Sequence, residues 1–143
     1  RRPPRSTLFP YTTLFRSLKK LVPLIGGDAP WTDNAPLPGG DFPVSQRDQL
    51  VSELQTTYSF LDDAWALRLI RGYGTEAKEI LGAAKTAQDL GHDFGATLTE
   101  AEVRWLMANE YARTAEDIVW RRTKLGLRLT KDQITALDAY MGA

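Results

Sequence analysis

TEAEVRWLMANEYARTAEDIVWRRTKLG, residues Thr99 to Gly126, is the stretch whose reading decides the fold. Two helix starts are written into it. Thr99 with Glu102 three residues later is a capping box, in which a hydroxyl and a carboxylate satisfy the free N–H groups of a first helical turn. Thr114 followed by Glu116 and Asp117 sets acids at the positive end of a second helix, and Arg121, Arg122 and Lys124 fall near its negative end. Val103, Leu106 and Met107 recur at helical spacing and make the core face of the first helix, while Ile118 and Trp120 lie in the second.

The same kind of reading extends to both sides. Downstream, Thr130 with Gln133 is a further capping box, opening a last helix whose face is Ile134, Leu137 and Met141. Leu125, Leu127 and Leu129 alternate with Gly126 and Arg128 as in a strand, but one isolated strand has no partner, so an extended linker packed on the bundle is predicted. Upstream, the pattern is helical from Ser45. Leu50, Val51, Leu54 and Tyr58 make one stripe; Ala66, Leu69, Ile70 and Tyr73 make another, closed by Gly72 and Gly74. Thr75 caps a short helix through Leu81, and Gly82 to Gly95 reads as a loop with one helical turn. Before Ser45, Leu18 to Ile25 (LKKLVPLI) reads as the end of a helix stopped by Pro23 and Gly26-Gly27, and Gly26 to Pro43 as an irregular arm pinned by Trp31. The fold class that results is all-α: a small bundle of five or six helices over residues 45–143, preceded by a helix remnant and a Pro/Gly-rich N-terminal arm over residues 18–44.

Residues 1–17 stand apart. Thr7 to Ser17, TLFPYTTLFRS, matches the in-frame translation of a widely used sequencing-adapter oligonucleotide, so the segment is set aside as a tail expected to make no stable contact with the rest. A secretory signal is the rival reading, and Pro10 with the threonines around it interrupts any apolar core. Without the tail's four arginines, the chain carries 14 basic residues against 18 acidic ones. A mildly acidic domain has no electrostatic footprint for nucleic acid or an anionic membrane surface. No apolar run approaches the roughly 18 residues needed to span a bilayer, so direct membrane insertion is not expected. The chain holds no cysteine, which excludes disulfides and thiolate-bound metal and fits a cytoplasmic protein.

The Thr99–Gly126 stretch resembles the hallmark of the C-terminal helical domain of FAD-dependent (aerobic) glycerol-3-phosphate dehydrogenases. The resemblance continues upstream through Asp93-Phe94-Gly95, Asp89-Leu90-Gly91, Tyr73-Gly74 and the segment from Trp31-Thr32 to Leu37-Pro38-Gly39-Gly40, and covers roughly Leu18 to the end. It implies a parent enzyme that uses FAD to oxidise glycerol 3-phosphate at C2 to dihydroxyacetone phosphate and passes the electrons to membrane quinone, from a peripheral position on the inner face of the cytoplasmic membrane. In that family the flavin and substrate sites lie in a much larger N-terminal part, which is then this domain's partner. The resemblance therefore implies a chain that is inactive alone, with no catalytic, cofactor-binding or metal-ligating residues of its own.

Several motifs imitate chemistry. Gly72-Tyr73-Gly74-Thr75-Glu76-Ala77 satisfies G-x-G-x-x-A, but that fingerprint needs a strand to deliver the chain to the phosphates, and here a helix precedes it; it is read as a helix-terminating turn. Leu37-Pro38-Gly39-Gly40 lacks the Lys-Ser/Thr of a phosphate loop and is read as a structural turn. His92 is the only histidine and cannot build a metal shell alone, and Asp89 and Asp93 beside it are turn formers. Ser45, Ser52 and Ser59 sit in no nucleophile elbow. Asp62-Asp63 and Glu116-Asp117 complement helix dipoles.

Glu110 is the residue singled out. Four beyond Leu106 and seven beyond Val103, it continues the inward face, and a buried charge there needs a partner. Arg113, Arg121 and Arg122 are the nearest candidates. The group is read as an internal ion pair fixing the angle between two helices, with a docking contact to the N-terminal FAD domain as the alternative. A second class of function is a helical nucleic-acid-binding or adaptor module, because Thr99 to Glu110 and Thr114 to Arg122 imitate a helix-turn-helix. Against it, Glu116 and Asp117 face where phosphates would lie.

Overall fold

The computed structural model describes residues 20–24, 26 and 35–142. The chain divides into two units, residues 1–35 and 36–143. In the first, residues 20–24 are helical, within the segment read as a helix end. The adapter-like tail and Trp31 lie outside the described residues.

The second unit begins with a turn. Pro38 and Gly39 are its central residues, closed by the Gly40 N–H donating to the Leu37 carbonyl at 2.8 Å, and Gly39 has φ +69°, a conformation that glycine alone adopts without strain. Helix α1 (Arg47–Thr57) follows. Asp62 then accepts the Trp65 N–H at 2.7 Å and starts α2 (Asp63–Tyr73), which ends at Gly74 with φ +55°. Here a Cβ would collide with the Gly39 carbonyl oxygen, and the Thr75 N–H donates to that same oxygen at 3.2 Å. The Leu37–Gly40 turn is thereby seated, backbone on backbone, against the end of α2. Thr75 does not itself open the next helix: a 3-10 turn over Gly74–Glu76 intervenes before α3 (Ala77–Leu81), and the Thr75 hydroxyl donates to Asp41. A first core gathers Leu54, Tyr58, Leu61, Ala66, Leu69, Ile70 and Leu81 from these helices, with Leu90 from a 3-10 turn at Ala87–Leu90.

The segment read as a loop contains that helical turn and also a feature the periodicity did not announce. Strands β1 (Asp93–Gly95) and β2 (Leu98–Thr99) form an antiparallel hairpin. Its two turn residues, Ala96 and Thr97, both have positive φ, 49° and 68°, as a type I′ turn requires. Phe94 and Leu98 point from it into a second core, with Val103 and Leu106 of α4 (Glu100–Asn109), Ile118, Val119, Leu125, Leu129 and Leu137. The bundle is thus helical apart from one small hairpin. Two further segments differ from their reading. Asp117–Arg122 is a π-helical turn rather than a continuous α-helix. Leu125–Leu127 is a 3-10 turn and not an extended linker: Lys124, at φ +60°, redirects the chain, so Leu125 is buried while Leu127 is 80% exposed. Gly126 lets the Trp120 indole lie close against the chain there, since a Cβ would stand 2.7 Å from the ring and push it aside. The last helix, α5 (Lys131–Met141), starts at the expected box, with the Thr130 N–H donating to Gln133 Oε1 at 2.9 Å and the Gln133 N–H to Thr130 Oγ1 at 3.3 Å. Tyr73 packs against both cores.

Candidate functional site

Where the two cores meet, the structure holds a buried charge pair. Glu102, in the first turn of α4, is 1% exposed, and the Arg68 side chain on α2 is 16% exposed. Arg68 donates from Nη1 to Glu102 Oε1 and from Nη2 to Oε2, each at 2.7 Å, a bidentate fork of the kind that planar guanidinium and carboxylate groups form best. The Tyr73 hydroxyl donates to Oε1 at 2.6 Å. Arg68 also donates through Nε to Thr97 Oγ1 and through Nη2 to the Thr97 carbonyl, both at 2.8 Å, clasping the hairpin turn. No buried side-chain polar atom among the described residues is left without a partner. Burial pushes the Tyr73 hydroxyl far above its ordinary range, and the Glu102 carboxylate reinforces that, so Tyr73 stays a donor. Burial opposes the charge of Arg68, but its bonds to Glu102 outweigh this and raise its pKa. This arrangement binds α2, α4 and the hairpin together. It also explains why the Thr99–Glu102 capping box does not form: the carboxylate meant for the helix start is taken by a guanidinium.

Glu110 is placed differently. Its side chain is 45% exposed, and Arg122 Nε stands 3.8 Å from its carboxylate, while Arg122 Nη2 donates to the Glu110 carbonyl at 2.7 Å. The face that pointed inward has ended by then, since α4 stops at Asn109 and Glu110 is its C-cap. Arg121 pairs instead with Asp117, and Arg113 offers its backbone N–H to Asp117 Oδ2 at 3.0 Å. Asp117 also accepts the Thr114 N–H at 3.0 Å and the Thr114 hydroxyl at 3.1 Å. The Arg113 amide above all, with Arg121 and Thr114, holds its carboxyl down to about 2. The second element of the imagined helix-turn-helix therefore begins on an anchored anion, facing where a phosphate would have to lie.

The remaining motifs are structural in their placement. Gly72-Tyr73-Gly74 closes a helix, and the close approach that Gly74 permits is occupied by the Gly39 backbone. His92 is exposed and its ring meets Phe94 edge to face at 4.7 Å. Among the described residues no group of three or more His, Cys, Asp or Glu could hold a metal, and no helix is long and apolar enough to cross a membrane.

One concavity stands out beside the buried pair. Between α2 and the segment from Arg122 to Arg128 runs a half-open groove of about 570 Å³, lined by Leu67, Arg71, Arg122, Lys124, Leu127 and Arg128 among others, with no acidic residue in its walls. Among the described residues neither Arg71 nor Arg128 has a salt bridge, whereas Arg68 at its edge is neutralised by Glu102.

The family model described as the C-terminal domain of alpha-glycerophosphate oxidase matches residues 30–142. The chain is 39% identical over 126 residues to the aerobic glycerol-3-phosphate dehydrogenase of Escherichia coli (strain K12), covering 87% of this chain and 25% of that protein. It is 40% identical over 119 residues to the D-erythritol 1-phosphate dehydrogenase of Brucella abortus (strain 2308), covering 83% and 23%. Similarity to a glycerol-3-phosphate dehydrogenase of Pseudomonas aeruginosa is 40% over 126 residues, covering 87% and 24%. The chain thus spans about a quarter of the length of the curated relatives it matches.

Proposed function

The chain belongs to the family of C-terminal domains of alpha-glycerophosphate oxidase, and on that footing we propose that it is the non-catalytic C-terminal cap of a flavin-dependent dehydrogenase. The parent oxidises sn-glycerol 3-phosphate at C2 to dihydroxyacetone phosphate, with electrons passing to quinone at the inner face of the cytoplasmic membrane. The observation that carries the reading is the match over residues 30–142, joined to two glycerol-3-phosphate dehydrogenases at 39% and 40% identity. Equal similarity to an erythritol-phosphate enzyme supports a phosphorylated polyol as the substrate class, with glycerol 3-phosphate the member favoured here. The nucleic-acid or adaptor alternative has no comparable support.

The described residues do not fit FAD themselves. A dinucleotide needs a strand, a glycine turn and a helix N-terminus aimed at the pyrophosphate. The G-x-G-x-x-A segment begins in the last turn of α2, not after a strand, and the space beside its second glycine, Gly74, is filled by Gly39. Within this proposal the flavin and the reacting carbon belong to the parent's N-terminal part, and this domain supplies packing against it.

The reading is tested by co-expressing the 143-residue chain with the Escherichia coli relative from which the matching quarter has been removed. The expected result is a complex that retains flavin and reduces a dye when glycerol 3-phosphate is added, while the chain alone shows no absorbance at about 450 nm. Stoichiometric FAD on the chain alone, or a truncated relative indifferent to its presence, would overturn it.

A further inference from the structure

We infer that the groove between α2 and the Arg122–Arg128 segment seats an acidic, apolar-flanked segment of the parent's N-terminal part; the inference rests on the cap reading above and names the face involved. Three observations carry it. The groove wall gathers Arg71, Arg122, Lys124 and Arg128 with no acid among its lining residues, on a body that outside its tail has more acids than bases. A cationic concavity on an anionic domain is not a by-product of composition; it matches a partner of opposite charge. Within the chain these cations are incompletely neutralised: Arg122 donates to the Glu110 carbonyl at 2.7 Å and has the half-exposed Glu110 carboxylate at 3.8 Å, Lys124 donates to the Trp120 carbonyl, and Arg71 and Arg128 have no ion pair among the described residues.

The third observation separates a protein segment from a small anion. Leu67 and Leu127 share the wall with the cations, and Leu127 leaves 80% of its surface to solvent. It is held outward by the Lys124 redirection and the 3-10 turn, not by a loose loop. A free phosphate gains nothing from a leucine at its rim, whereas a protein segment can bury the exposed leucine and pair with the arginines, a residue type enriched at interfaces. The relatives devote about three-quarters of their length to the part this chain does not match, and that part supplies the occupant.

The test uses the Escherichia coli relative with its matching C-terminal quarter replaced by residues 18–143. This chain has no cysteine, so Leu127→Cys introduces one thiol into this portion whose alkylation is followed on its own peptide by mass spectrometry. Val44→Cys, at another exposed position, is the control. Leu127→Cys is expected to react roughly tenfold more slowly in the chimera than in the 143-residue chain, with Val44→Cys unchanged. Arg71→Glu with Arg128→Glu should restore fast labelling, and salt, which screens the attraction in the unsubstituted chimera and so speeds its labelling, should no longer do so; the milder Arg71→Gln with Arg128→Gln should fall between. The same substitutions in the chain alone should leave its melting temperature in place, which separates lost docking from lost folding. A chimera that turns over yet labels Leu127→Cys at full speed would overturn the groove assignment alone; a folded chimera with neither flavin nor protection would overturn the cap reading with it.

Discussion

Replacing Glu102 by glutamine removes the anion that, among the described residues, answers Arg68 and changes the volume of the side chain hardly at all. The carboxylate accepts three bonds, two from Arg68 at 2.7 Å and one from Tyr73 at 2.6 Å. An amide oxygen can keep part of that set, but the amide nitrogen would face a guanidinium with donor against donor. Arg68, 16% exposed, would keep its bonds to Thr97 and the one acceptor left by the amide, with no neutralising charge. Breaking a buried pair by removing one partner costs about 3–5 kcal/mol; the bonds to Thr97 and the surviving acceptor place Glu102→Gln near the lower end, about 3 kcal/mol. For a domain of this size that is a fall in Tm on the order of 10 °C. Arg68→Leu should cost a similar amount, since it strands the carboxylate. The pair Arg68→Leu with Glu102→Leu strands neither, and is expected to lose only about 1–2 kcal/mol, chiefly from the hydroxyls of Tyr73 and Thr97. Urea unfolding followed by tryptophan fluorescence is the assay, because Trp105 lies edge to face with Tyr73 at 5.3 Å. A Glu102→Gln loss under about 1 kcal/mol, or a double substitution whose loss equals the sum of those of Arg68→Leu and Glu102→Leu made singly, would refute the coupling.

Three further outcomes are expected. Glu110→Gln should shift stability by no more than about 0.5 kcal/mol in the same unfolding assay, since an exposed pair at 3.8 Å is a weak one. Asp117→Asn should destabilise the chain at neutral pH. Because the folded pKa is depressed to about 2, this contribution is present above the unfolded carboxyl value and is lost as pH falls through the folded one, so the melting temperatures of wild type and variant should converge between pH about 4 and 2. Gly72→Ala, with open space at its Cβ, should raise stability by about 0.5–1 kcal/mol, whereas Gly74→Ala should lower it by more than about 2 kcal/mol through positive φ and the collision with Gly39; calorimetry showing both substitutions equally damaging would contradict the helix-end reading.

What could be read from the sequence was what is decided within a few residues. The Thr130–Gln133 box forms as written, Asp62 caps α2, and the stripes on α1 and α2 fill a core, because each depends on neighbours along one helix. The Thr99–Glu102 signal was just as plain and failed because Arg68, 34 residues away, offers the carboxylate a stronger partner. The rule that drew attention to Glu110, four residues after Leu106, applies equally to Glu102, four residues before it. It holds for Glu102, inside α4, and lapses at Glu110, where the helix has ended. The hairpin was hidden for a different reason: its turn is Ala96-Thr97, without the asparagine or glycine that usually marks a type I′ turn, and Arg68 supplies from afar what the turn residues lack. The groove was illegible because its cations come from segments about fifty residues apart in sequence, and only the packing of α2 beside the Arg122–Arg128 segment brings them together.

The meeting of the two cores at Tyr73 and Glu102 bears on how the domain opens. Each core is closed by its own helices, so without a link the halves would exchange their amide protons on separate schedules. Arg68 belongs to a helix of the first half, while Glu102 and Thr97 belong to the second. Any excursion that parts the halves must therefore expose an ion pair together with apolar surface. Slow amide protons in α2 and α4 should report one shared opening event, and loss of the pair should split it into two, the less protected half then fraying at denaturant concentrations where the other still holds.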